Sequence, residues 1–316
     1  MALRFLSIEH GSCWRRAPPA GGFKMGVVFL VIGEILCYLG QEFFSKLFSI
    51  THPDKASDVT PIFNVLFGAV VALATWIYNG FRLNPDWITL LIGVINGAAL
   101  FMYNFSAIHA AQSGPYTLQS IMSAFGNILI PLLVSIIIWS DRLRLIQGIG
   151  IALMLAAFVL YNAYDLHGLK IGFKGFGWFV LVFVTNGVYS ALNDAQQRIE
   201  AGGYRTDMII ISFLTTAVIS AVSLIISRNP NVRSAAKMPP RAMLFAVAAS
   251  VSAAAAINLL MTALNYVPSY LLYPIGSGSL LILNTLLGRI VLKEKIQPLQ
   301  YIGITAATIA IILTNH

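Results

Sequence analysis

The chain has 316 residues, of which 58% are hydrophobic and 10% are charged, and its mean hydropathy is +0.79. A soluble domain carries roughly a quarter charged residues, so this composition excludes an ordinary soluble protein and indicates an integral membrane protein in a lipid bilayer. The net charge of +8 is scattered among short loops, which argues against nucleic acid as a partner and fits loops facing anionic headgroups.

Residues 1–24 precede the first apolar run and do not look like part of a fold. They carry four basic residues and a single acid, Glu9. We expect either a disordered extension or a start codon assigned too early, with Met25 as the first residue; a targeting segment is the alternative.

Ten apolar runs follow, each about long enough for a helix that crosses the bilayer. Unpaired backbone groups cannot be left in lipid, so the runs predict an all-α integral membrane protein with ten transmembrane helices. The predicted helices are 26–48, 60–79, 86–108, 116–139, 144–163, 175–197, 207–227, 241–264, 268–290 and 298–314.

The fourth and fifth runs reappear 153 positions later in the chain without a gap. The matched pairs are Pro115 with Pro268, Asp141 with Glu294, Arg142 with Lys295, Gln147 with Gln300, Gly150 with Gly303 and Asn162 with Asn315. We therefore predict two five-helix repeats, 25–164 and 165–316. Because five is odd, the copies cross the membrane in opposite senses, and inverted repeats of this kind are typical of secondary transporters with a site near the midplane.

The first helix of each repeat carries the same polar pattern, at an offset of 152. The pairs are Glu34 with Asn186, Gln41 with Asn193, Glu42 with Asp194 and Lys46 with Arg198. Glu34, Tyr38 and Gln41 share one stripe of the helix, which should face the protein interior. Glu34 lies about a dozen ångström into its helix with no base one turn away. It is predicted to be a substrate counter-charge or proton carrier, or else a protonated carboxyl satisfied by a neighbouring helix.

An acid and a base stand at positions i and i+4 in each of these helices, Glu42 with Lys46 and Asp194 with Arg198. In inverted repeats the two pairs should lie near opposite membrane faces. They are interpreted either as the two gates of an alternating cavity or as interfacial side chains with local charge compensation.

Further polar side chains lie at helical spacing in other predicted helices. Each is a candidate for lining a central substrate cavity, and the alternative for each is a hydrogen bond between packed helices. With Glu34 and Asn186, the predicted cavity residues are Tyr38, Gln41, Asn104, Gln119, Tyr189, Asn193, Asn258 and Tyr273.

The stretch AIHAAQSGPYTLQSIMSAFGNILIPLLVSIIIWSDRLRLIQGIGIALMLAAFVLY resembles the EamA-type branch of the drug/metabolite transporter (DMT) superfamily. The residues that carry the resemblance are Gly114, Pro115, Pro131, Asp141 and Gly150, with Pro268, Glu294 and Gly303 in the second copy. Asp141 stands where a glutamate is usual, and Asn284 stands where the first copy has Pro131. The resemblance implies ten helices, both termini in the cytoplasm and a cavity between the repeats that moves small metabolites.

The sequence thus predicts a secondary transporter of a small polar or amphipathic metabolite by alternating access, with proton coupling left open. A cell membrane, plasma or inner, is the expected location, and an endomembrane is the alternative. We expect no enzyme, cofactor or metal site, because no nucleotide-binding loop or paired-histidine motif is present. The rival hypothesis is a membrane sensor or scaffold, for which a sealed centre would suffice.

Overall fold

A computed structural model describes residues 25–51, 56–113, 116–162, 173–199, 204–227, 238–291 and 298–314. Within these ranges the secondary structure consists of ten α-helices, so the predicted all-α architecture is confirmed. Their bounds lie within a few residues of the predicted ones; residues 1–24 lie outside the described ranges. The helices are α1 Met25–Thr51, α2 Ala56–Tyr78, α3 Trp87–Ser113, α4 Tyr116–Ile137, α5 Leu145–Asn162, α6 Phe173–Ile199, α7 Arg205–Ile226, α8 Pro240–Ala263, α9 Ser269–Val291 and α10 Pro298–Thr314.

Six of the described helices, α1, α2, α3, α6, α7 and α8, are long and apolar enough to cross a membrane. Shorter apolar segments lie in α4, α5 and α10. On α1 the exposed large side chains are Val28, Phe29, Ile32 and Leu36, which share one face of the helix. An exposed apolar face of this kind is costly in water and favourable in lipid, so the molecule has the character of a membrane protein.

The contacts between helices repeat at an offset of five helices. The packing of α3 against α6 and α7 corresponds to the packing of α8 against α1 and α2. In the same way α4 with α6 corresponds to α9 with α1, and α4 with α5 corresponds to α9 with α10. The pairs α2 with α7 and α5 with α10 each join a helix to its own counterpart.

Glycines allow the closest of these helix contacts. A β-carbon on Gly68 of α2 would lie 2.6 Å from the Phe213 carbonyl oxygen of α7, and one on Gly97 of α3 would overlap the Ser212 carbonyl oxygen. Small residues let helix backbones approach in this way in membrane proteins. The hydrophobic core that results is built mainly from α2, α3, α7, α8 and α9.

The connection between α2 and α3 is held against the start of α7 by a buried acid. Asp207 is 6% exposed, and its carboxyl accepts hydrogen bonds of 3.3 Å from the Asn79 side chain and from the Asn84 backbone. At Gly80 and Phe81 the backbone turns with positive φ angles of 65° and 59°. These contacts fix one end of the bundle.

Candidate functional site

Glu34 is the deeply placed acid of α1, and it is almost entirely buried, with 4% of its surface exposed. Its Oε1 atom lies 3.6 Å from the position that a β-carbon on Gly276 of α9 would take. Its Oε2 atom is buried without a hydrogen-bond partner among the described residues. The carboxyl is therefore held between α1 and α9 with one oxygen unsatisfied.

Two tyrosines interact electrostatically with this carboxyl: Tyr38, one turn further along α1, and Tyr273 of α9. Tyr189 of α6 interacts with both of these tyrosines. The Tyr273 hydroxyl donates a hydrogen bond of 2.9 Å to the Ser190 carbonyl oxygen, which anchors its ring. We call Glu34, Tyr38, Tyr189 and Tyr273 the central cluster.

The contact between Glu34 of α1 and Gly276 of α9 has a counterpart between α6 and α4. At the sequence offsets of 152 and 153, Glu34 corresponds to Asn186 and Gly276 corresponds to Ser123. Asn186 donates hydrogen bonds to the Ser123 carbonyl oxygen at 2.8 Å and to its hydroxyl at 2.9 Å. Equivalent positions thus meet at both places, and side-chain hydrogen bonds join the pair between α6 and α4.

Side-chain hydrogen bonds also join α4, α6 and α9 beside the central cluster. The Ser190 hydroxyl donates to the side-chain oxygen of Asn127, and the side-chain amide of Asn127 donates to the Ser277 hydroxyl at 3.4 Å. Because Ser190 is also bonded to Tyr273, this chain sets the position of the tyrosine ring relative to α4 and α6.

An ion network lies at the end of α6. Arg198 pairs through Nη2 with Asp141 at 2.7 Å and through Nε with Asp194 at 2.9 Å, and it donates to the Ser135 hydroxyl at 3.1 Å. The Ser135 hydroxyl lies 3.2 Å from that of Ser269 at the start of α9. We call these five residues the Arg198 network. The predicted pair on α6 is thus formed, and the network ties together α6, the end of α4 and the start of α9.

The equivalent acid on α1 has a different environment. Asp194 is 2% exposed, whereas Glu42, its counterpart, is exposed to solvent. The side chain of Lys46 and residue Glu294 lie outside the described parts of the chain. The two equivalent acids therefore differ in burial: Asp194 is packed among other side chains, and Glu42 is open to solvent.

Gln41 is half-buried on the same stripe of α1 as Tyr38, and the side chain of Gln119 is not among those that the structure describes. Several of the other predicted cavity residues bridge neighbouring helices. The bridging hydrogen bonds are donated by side-chain amides: Asn104 to Asn64 at 3.2 Å, Asn96 to Asn193 at 3.3 Å and Asn258 to Thr75 at 3.0 Å. The structure therefore brings Glu34, Tyr38, Tyr189 and Tyr273 together, while Asn104, Asn193 and Asn258 join helices around them.

Two participants were missed by the reading of the sequence. Asp141 is matched with Glu294 in the sequence, which signals an acid needed twice, but the pattern does not identify it as the partner of Arg198. Gly276 has no side chain and therefore leaves no polar signal in the sequence. Among the residues that the structure describes, no three His, Cys, Asp or Glu side chains come together as metal ligands.

Comparison with known proteins identifies the fold and no activity. No family model matches the sequence, and no curated protein matches it. A solved structure described only as the crystal structure of a protein superposes with a TM-score of 0.73 at 17% sequence identity. The match covers 92% of this chain and 96% of that one. The arrangement of helices is therefore one that a known protein also adopts over nearly its full length.

Proposed function

We propose that this protein is a ten-span secondary transporter of the EamA type, which moves a small polar or amphipathic metabolite by alternating access. The observation that carries the proposal is the difference between the equivalent ends of α1 and α6. Asp194 is buried in the Arg198 network, while Glu42 is exposed. An alternating transporter needs such a pair of equivalent gates in opposite states.

The packing of the helices supports an inverted repeat. Contacts recur at an offset of five helices, and the equivalent pairs Glu34 with Gly276 and Asn186 with Ser123 meet at corresponding places. Five helices per copy reverse the direction of each element, and transporters of this plan place the substrate between the copies. The central cluster takes its residues from α1, α6 and α9, helices of both predicted repeats, and this supports a substrate site there.

In the proposed mechanism the Arg198 network closes one end of the substrate pathway. Opening that end separates Asp141, which follows α4, from Arg198 on α6. A buried ion pair gains little net free energy, because the desolvation of its charges offsets their attraction. The network can therefore hold α4, α6 and α9 in one geometry and still open at modest cost. Glu42 and Lys46 would form the corresponding closure at the opposite end.

Glu34 has two roles in this proposal, as the counter-charge of the substrate and as the carrier of a proton. The titratable groups that interact with it are Cys37 and Tyr38 on its own helix and Tyr273 on α9. Proton coupling predicts that a substrate gradient acidifies or alkalinises the lumen of liposomes that contain the protein, as measured with a trapped pH dye. A Glu34→Gln variant with unchanged transport rate and pH dependence would exclude the proton role.

The transport proposal is tested by uptake into proteoliposomes. The purified full chain is reconstituted, a mixture of cationic, anionic and neutral polar metabolites is added outside, and the lumen is analysed by mass spectrometry after washing. We expect saturable accumulation of one class of solute, reduced in Glu34→Gln and absent from liposomes without protein. Equal lumenal contents with and without protein for every solute would contradict transport and favour a sensor or scaffold.

The membrane that holds the protein is proposed from the resemblance and from composition. We propose a multi-pass protein of a cell membrane, plasma or inner, with both termini in the cytoplasm. In that orientation the Arg198 network, near the starts of α1 and α9, lies on the cytoplasmic side. Labelling of a cysteine introduced at Ser227, after α7, from one side of intact cells checks the orientation.

A further inference from the structure

We propose that the central cluster binds an organic ammonium ion, whose charged nitrogen takes the place of the hydroxyl that is missing at Gly276. The inference rests on the proposed transport function and names its substrate class. The partner is a small amine that carries an apolar or aromatic group.

The comparison of the two repeats is the first argument. At one place Asn186 of α6 meets Ser123 of α4, and the contact is complete with hydrogen bonds of 2.8 and 2.9 Å. At the equivalent place Glu34 of α1 meets Gly276 of α9, which has no side chain to offer to the nearby Oε1, and the Oε2 atom is buried without a partner among the described residues. A buried oxygen left unsatisfied in this way is costly, so a ligand that donates a hydrogen bond to it is favoured.

The charge of the region is the second argument. Its described carboxyl groups are Glu34, Asp141 and Asp194, and they stand against two guanidinium groups, those of Arg198 and Arg144, which both interact electrostatically with Tyr270 as Asp141 does. Arg198 is already paired with two of the carboxyl groups, and the third, Glu34, has no described basic partner. Asp194 also interacts electrostatically with Tyr273 of the central cluster. An anion would meet unfavourable charge here, whereas a cation would be attracted.

The three tyrosine rings are the third argument. Tyr38, Tyr189 and Tyr273 come from three different helices and interact electrostatically with one another, and Tyr38 and Tyr273 also interact with Glu34. Aromatic faces attract cations, and sites that bind organic ammonium groups combine such rings with a carboxylate. An ammonium nitrogen supplies up to three donors and accepts none, which suits an unpaired carboxylate oxygen.

The test uses three probes of the same shape: benzylamine, which is a cation at neutral pH, benzyl alcohol and benzoate. Binding to the purified full chain in detergent is measured by calorimetry. We expect benzylamine to bind at least about tenfold more tightly than either of the others, because a hydrogen bond to a charged group contributes roughly 1.5–3 kcal/mol.

Two variants locate the site. Glu34→Gln removes the charge, and Gly276→Ser restores the hydroxyl found at Ser123; a β-carbon there is in ordinary contact with Glu34 at 3.6 Å, so the fold should be retained. Both should weaken benzylamine binding by roughly tenfold or more. The control for the second is Gly177→Ser on α6, where a β-carbon meets nothing within 4 Å, and it should bind as the wild type does.

Several results would overturn the inference. These are equal or tighter binding of benzyl alcohol or benzoate, benzylamine binding that survives both variants, and no benzylamine binding up to about 10 mM. If the protein does not bind benzylamine but proteoliposomes take up neutral or anionic metabolites, the transport proposal is supported and the ammonium site is contradicted. If benzylamine binds and its binding is lost in both variants, but no solute is taken up, the ammonium site is supported and the transport proposal is contradicted.

Discussion

The Glu34 carboxyl lies 3.6 Å from the point at which a β-carbon on Gly276 would stand. At the equivalent place between α6 and α4, Asn186 is joined by hydrogen bonds to Ser123. An amide in place of a carboxyl, and a hydroxyl in place of a hydrogen, therefore separate a completed helix contact from an acid with one buried oxygen unsatisfied among the described residues. We expect stability to depend on the contact between Asn186 and Ser123, and ligand binding to depend on the Glu34 carboxyl.

Replacing Ser123 by alanine removes the hydroxyl that is bonded to Asn186 and to Tyr103, the latter at 3.0 Å. The Asn186 bond to the Ser123 backbone oxygen remains. We expect a loss of about 1–2 kcal/mol in stability, visible as a lower melting temperature in detergent. Thr305→Ala is the control, because the Thr305 hydroxyl is exposed and is bonded only to the Tyr301 backbone among the described contacts. Equal melting temperatures for the two variants would contradict the importance of the contact.

The close approach of α4 and α6 depends on Gly126. A β-carbon on Gly126 would overlap the Phe183 carbonyl oxygen, which is backbone and cannot rotate away. Gly126→Ala should therefore destabilise the fold by roughly 1–3 kcal/mol through overpacking. Gly177→Ala, on the exposed side of α6, should be neutral or slightly stabilising, because alanine favours helix. Thermal unfolding of both variants checks this, and a well-tolerated Gly126→Ala would show that the two helices have room to separate.

Arg198 compensates the charge of the buried Asp194. Arg198→Met leaves Asp194, which is 2% exposed, without its countercharge, so we expect a destabilisation of about 3–5 kcal/mol. The double variant Arg198→Met with Asp194→Asn should recover much of that loss. Glu42→Gln, at the exposed equivalent position, should change stability by less than about 1 kcal/mol. Thermal unfolding of all three variants measures these losses of stability. Similar losses for Arg198→Met and Glu42→Gln would contradict the proposal that one end of the bundle is closed and the other is open.

Asp86 caps the start of α3, outside the membrane-spanning segment. Partial burial raises the pKa of its carboxyl, but hydrogen bonds from the Thr89 side chain, from the Thr89 backbone at 2.9 Å and from the Ile88 backbone at 3.2 Å outweigh this and lower the pKa below its ordinary value of 3.8. The charged form therefore stabilises the fold. Its contribution is complete above pH 3.8 and is lost as the pH falls through the lowered pKa.

The measurement for Asp86 compares two variants over pH. Asp86→Ala should cost about 1 kcal/mol at neutral pH, whereas Asp86→Asn, also a good cap, should cost less. The difference in melting temperature between wild type and Asp86→Ala should shrink as the medium is acidified below pH 3.8. A difference that is constant down to acid pH would contradict the cap.

The helices could be predicted from the sequence because the thickness of the bilayer fixes the length of each apolar run. The inward stripe of α6 could be predicted as well, since helical periodicity places Ser190, Asn193 and Gln197 on one face, and all three are buried. Periodicity says nothing of the partner across that face. It therefore could not separate Tyr189, in the central cluster, from Asn193, which bonds to Asn96 on α3.

Two features needed the tertiary structure. Arg198 meets Asp141 only because the ends of α4 and α6 come together, a contact 57 positions apart in the chain. Gly276 matters through the hydroxyl that it lacks, and this becomes visible only beside Ser123 in the equivalent place. The predicted pair of Asp194 and Arg198 was a local i, i+4 relationship, and for that reason it could be found from sequence.

The most direct test of alternating access is a reversible lock on the closed end. Ser135 of α4 and Ser269 of α9 belong to different predicted repeats, and their hydroxyls lie 3.2 Å apart, so cysteines at these two positions are the pair chosen for a disulfide. The pair is introduced with Cys13 and Cys37 replaced by alanine, and proteoliposome uptake is measured after oxidation and again after reduction. We predict that oxidation stops uptake, that reduction restores it, and that benzylamine binding persists in both states. Undiminished uptake by the fully cross-linked protein would show that this end does not open, and would contradict the account.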